Sequence, residues 1–98
     1  MRQAALERRI RELQRRVRTA REELAVLTEQ IEVLAEDAEG ARVRGLVAET
    51  ALAEKESADA RRHHELAERA ASKLRTDIDK CVAERDRFLA ELTIPAPK

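Results

Sequence analysis

LERRIRELQRRVRTAREELAVLTEQIEVLAEDA, running from Leu6 to Ala38, is the stretch that decides the fold. Its apolar residues step by four and three: Leu6, Ile10, Leu13, Val17, Ala20, Leu24, Leu27, Ile31, Leu34 and Ala38. The mean step of about 3.5 residues is the repeat of a coiled coil and is far from the period of two that a strand needs. With Ile10 at heptad position a, Val17, Leu24 and Ile31 also fall at a, while Leu13, Ala20, Leu27 and Leu34 fall at d. Arg9, Arg16, Glu23, Gln14 and Arg21 occupy the flanking g and e positions, and polar residues fill the outside.

Working outward from this stretch, the rest of the chain agrees with it. Of 98 residues, 41% are charged and 1% aromatic, with two Gly and two Pro. So few Gly and Pro cannot supply the turns of an all-β fold. Charge interleaved with apolar residues at helical spacing argues against plain disorder. Side chains bulky enough for a thick globular core are missing. The fold class expected is all-α: two long helices in an antiparallel coiled-coil hairpin, two such hairpins pairing into a four-helix bundle.

The stripe falters at Glu36–Gly45, which holds both glycines, and Val43, Leu46 and Val47 then fall on a different face. Two turns are possible. One is at Asp37–Ala41, with Gly40 ending a helix; the other is at Glu49–Ala51, with Thr50 capping the next helix. A turn at Thr50 leaves arms of nearly equal length and pairs nearly all the apolar surface, so it is preferred. The expected hairpin is 1–92, with helix one at about 3–48, a possible break near 38–41, and helix two at about 51–92. In helix two the clear apolar positions are Leu74, Ile78, Cys81, Val82, Phe88, Leu89 and Leu92, after an Ala-rich middle. A tail at 93–98 carries Pro95 and Pro97, which cannot continue a helix.

Charge is balanced overall, at 20 basic and 20 acidic residues, yet unevenly distributed. Met1–Arg21 holds eight Arg and two Glu, and Glu22–Ala41 holds seven acids and no base. A net charge of zero disfavours general binding to nucleic acid or anionic lipid. The Arg cluster has no aromatic for base stacking, so nucleic acid is not the expected partner. The same asymmetry would let two first helices pair antiparallel, basic half over acidic half. The expected partner is therefore a second copy in an antiparallel homodimer, alongside a protein partner that the sequence does not identify. The expected interaction seam is Leu6, Ile10, Leu13, Val17, Leu24, Leu27, Ile31 and Leu34 of helix one with Leu74, Ile78, Phe88 and Leu92 of helix two.

Chemistry has little to work with. His63 and His64 are adjacent, so on a helix they point about 100° apart and do not readily share an ion. No Ser, Cys or His arrangement resembles a nucleophile with its base, and no Gly-rich phosphate loop is present. No metal, cofactor or catalytic residue is expected. Cys81 has no mate in the chain and reads as a small buried hydrophobe. With no secretory signal pattern and no apolar run long enough for a bilayer, the expectation is a cytoplasmic protein.

In texture the chain resembles the many short, uncharacterised coiled-coil hairpin proteins of GC-rich bacteria, a likeness that implies no activity. The acidic group Glu36, Asp37 and Glu39, placed near a hairpin tip, also resembles transcript-cleavage factors of the Gre type. That likeness implies an alternative function: a regulator acting on nucleic acid or RNA polymerase through the Arg-rich first helix or the acidic tip.

Overall fold

The computed structural model describes the backbone over Arg2–Thr93 and the side chains over residues 2–92. Within these residues the chain is all-α, with no strand. Helix α1 runs Arg2–Ala48 and helix α2 runs Ala51–Thr93. At about 1.5 Å per residue, 47 residues make α1 about 70 Å long. The Pro-containing tail expected at 93–98 lies outside the described residues beyond Thr93.

The two-residue link between the helices is built from local chemistry. Glu49 adopts φ 51°, in the left-handed region, and is the one described non-Gly residue to do so. Its N–H donates to the Gly45 carbonyl at 3.1 Å, closing the end of α1. Thr50 then caps α2: its Oγ1 accepts from the Ala53 N–H at 3.1 Å, and its carbonyl accepts from the Glu54 N–H at 3.0 Å. A hydroxyl at the N-cap satisfies an amide that the helix itself leaves unpaired.

The break entertained at 38–41 does not occur: α1 passes through Gly40 as helix. Neither glycine has a positive φ. Glu39 and Arg42 clamp this turn with two side-chain hydrogen bonds, of 3.0 and 2.6 Å. Ala38 and Ala41 flank Gly40, and alanine is the strongest helix former. One glycine among such neighbours weakens the helix by roughly 1 kcal/mol without ending it.

The chain divides into two compact units, one from residues 1–23 and 74–98, the other Leu24–Lys73. In the first, Ile10, Leu13, Val17 and Ile78 are buried, and Leu13 is completely covered. Leu6, Ala20, Leu74, Cys81, Arg85, Phe88 and Leu92 are half-buried at the same three- and four-residue spacing. In the second unit the only fully buried residues are Ala41 and Ala71. Around them Leu24, Leu27, Ile31 and Leu34 on α1, and Ser57, Ala60, His64 and Ala67 on α2, are half-buried. Near the link the helices come close: a Cβ on Gly45 would lie 3.5 Å from the Ala53 carbonyl oxygen and 3.9 Å from Ser57 Cβ.

Candidate interaction surface

All twelve residues of the expected seam are at least half-buried within the single chain. Ile10, Leu13 and Val17 lie in the core of the first unit. Pairing two first helices through that stripe would therefore require α2 to leave it. Among the described residues, the large apolar side chains that remain open lie elsewhere. Val26, Val33, Val43, Leu46, Val47, Leu52 and Leu66 are exposed by 46–80%, and every one belongs to Leu24–Lys73. Three of them, Val43, Leu46 and Val47, are the residues that leave the heptad stripe in the sequence. Val26 and Val33, seven residues apart, line a shallow groove with Glu29, Gln30 and Leu34.

The first unit carries the ion pairs that join its two helices. Arg2 donates to Glu91 at 3.0 Å, and Arg9 to Glu84 at 3.0 Å. Arg9 also reaches Glu12 at 3.2 Å, and Arg16 meets the same carboxylate at 3.0 Å. The hydrogen bond from Arg9 to Glu84, with smaller help from Glu12, holds the Arg9 guanidinium above its ordinary pKa. Beside Val17 and Ala20, the groove that contains Cys81 is lined by Leu74 and Ile78; Cys81 itself is half-buried.

The remaining arginines of the cluster are not used in this way. Arg8, Arg11, Arg15 and Arg18 are exposed and have no ion-pair partner among the described residues. With Ile10 at a they fall at f, b, f and b, the positions that point away from the a/d line. In the second unit the same outer positions of α1 hold Glu29, Glu32, Glu36 and Glu39, also exposed. Glu39 alone of these is engaged, with Arg42, whose hydrogen bonds lower the carboxyl below its ordinary pKa.

The acidic group is not at the tip. Glu36, Asp37 and Glu39 precede the Glu49–Thr50 link by ten or more residues, which is about 15 Å or more along a helix. The residues that flank the link are apolar and exposed instead: Leu46, Val47 and Leu52. The geometry behind the likeness to transcript-cleavage factors is therefore absent, because α1 continues past Gly40.

His63 is exposed. His64 is half-buried in the line of α2 residues that faces α1, and its Nε2 lies 2.9 Å from Glu68 Oε1. A groove beside it is lined by Ala35, Ala38, Glu39, Arg42, Ser57 and Arg61. Among the described residues no three His, Cys, Asp or Glu side chains gather as a metal site would need. No helix of the described residues is long and apolar enough to cross a membrane. Comparison with family models, curated proteins and solved structures returned no match.

Proposed function

We propose that this chain is a non-enzymatic coiled-coil module for protein–protein interaction, and that it self-associates as a homodimer. Its two helices form an antiparallel hairpin, supported by the two-residue link and by the Arg2–Glu91 and Arg9–Glu84 bonds. The lone thiol of Cys81 suits a reducing cytoplasm.

The observation that carries the reading is the confinement, among the described residues, of the seven exposed large apolar side chains to Leu24–Lys73. Large apolar side chains left open on one unit support an interaction site there, and Val26 and Val33 line one groove.

Light scattering on the full chain over a concentration series tests this. The expected result is a mass approaching twice 11.1 kDa at concentrations on the order of tens of micromolar. Val26→Glu together with Val33→Glu should return the monomer with helicity intact. A fully helical monomer for the parent chain across that range would refute self-association.

A further inference from the structure

We propose that the cationic stripe Arg8, Arg11, Arg15 and Arg18 of one copy docks along the anionic stripe Glu29, Glu32, Glu36 and Glu39 of a second copy, with the two first helices antiparallel. This rests on the self-association reading and specifies the contact that orients it.

The argument is one of register. The basic stripe steps by three, four and three residues, and so does the acidic stripe read backwards from Glu39. Antiparallel helices present their residues to each other in opposite order. Arg8 then meets Glu39, Arg11 meets Glu36, Arg15 meets Glu32 and Arg18 meets Glu29. The two residue numbers in each pair add to the same total, so a single alignment satisfies all four. Each pair also joins an f position to a b position, as a pairs with d across an antiparallel coiled coil. Both stripes stand on one uninterrupted helix. A two-fold operation therefore makes the four pairs twice and closes the assembly at two copies. A parallel alignment would lay Arg on Arg and Glu on Glu.

The stripes are free to do this. All four arginines and all four glutamates are exposed, and of the eight only Glu39 has an ion pair among the described residues. Val26 and Val33, both more than half exposed, stand three or four residues from Glu22, Glu29 and Glu36 and would be covered in the same contact. Exposed ion pairs contribute little individually, so the charges set direction and register while the valines supply apolar burial. Polyphosphate is a poorer fit for the arginines. They have no aromatic among them, and the next segment of the same helix carries seven acids and no base.

Sedimentation equilibrium on the full-length chain, with helicity followed by circular dichroism, tests the pairing. Arg11→Glu with Arg15→Glu should weaken self-association about tenfold or more, and raised salt should weaken the parent in the same direction. Adding Glu32→Arg and Glu36→Arg restores every pair with its sign reversed, and should restore the parent's affinity. Glu65→Arg, an exposed change on α2, should leave it unaltered. A dimer indifferent to the double reversal, or a helical fourfold variant that fails to recover, would overturn this pairing while leaving self-association standing. A parent chain that never dimerises would overturn both. A duplex oligonucleotide bound through Arg11 and Arg15 while the reversed variants still dimerise would assign the arginines to nucleic acid and overturn the proposal.

Discussion

Truncating Leu13 to alanine should destabilise the protein more than any comparable change at an exposed leucine. Among the described residues Leu13, at 0% exposed, is the one large side chain that is completely covered. Leu13→Ala removes three carbons, which at about 0.8 kcal/mol per buried CH2 comes to roughly 2.4 kcal/mol. A residual cavity adds to this; Leu→Ala changes in packed cores span about 2–5 kcal/mol. Ile10, Val17 and Ile78 are buried in the same unit, but Cys81, close to the level of Leu13 on α2 in the register that the Arg9–Glu84 pair sets, is only half-buried and leaves the site some room to relax. The cost should therefore fall near about 2–3 kcal/mol. For a chain of this size that lowers Tm by about 10–20 °C. The assay is thermal unfolding followed by circular dichroism, at one dilute protein concentration because association shifts Tm by mass action. Leu66→Ala is the comparison, since Leu66 is 52% exposed and should lose no more than about 1 kcal/mol. Equal losses at the two sites would refute the burial argument and with it the placement of the core.

Other outcomes follow from the link and from the middle of α1. Gly40→Ala should raise stability by roughly 0.5–1 kcal/mol in the same melts. Its new Cβ would lie 3.2 Å from the end of the flexible Arg44 side chain, which can move aside. Thr50→Ala removes the oxygen that accepts from the Ala53 N–H and should cost about 1 kcal/mol. Glu39 should titrate below the ordinary carboxylate pKa in an NMR pH series, because Arg42 hydrogen-bonds its charged form. A depressed native pKa contributes stability above the unfolded value, and that contribution is lost as pH falls through the native one. Arg42→Gln should return Glu39 to its ordinary range.

How far the fold is legible depends on which residues fill the heptads. In α1 the a and d positions hold Leu, Ile and Val over four heptads, so the period is plain. In α2 the same period is present but disguised. Ala53, Ser57, Ala60, His64, Ala67 and Ala71 step by four and three and are all at least half-buried. Ser and His do not count as apolar, so this segment reads as irregular although its positions face α1. Gly40 misleads for the opposite reason. Its residue type suggests a stop, while its neighbours and the Glu39–Arg42 clamp continue the helix. Thr50 is legible as a cap because a hydroxyl at that position has one evident use, and Glu49 is not, since nothing about glutamate announces a left-handed backbone.

The interaction surface is harder to read, and the reason is physical. A strong heptad stripe says that a helix will be covered, without saying by which chain. Here the nearest cover is intrachain: a two-residue link holds α2 beside α1 at a local concentration no second molecule matches. The bulkiest seam residues are used there, in the unit that holds Leu13. Under the proposed self-association, what remains for a second copy is what the intrachain packing leaves outside. These are valines and leucines off the a/d line in Leu24–Lys73, and outer charges that the seam does not consume. Small buried residues such as Ala41 and Ala71 yield little area within the second unit. On that proposal, stability and association fall to different residues. Changes at Ile10, Leu13 or Val17 should melt the fold with or without a second copy. Changes at Val33 or Arg15 should alter self-association while leaving the helices intact.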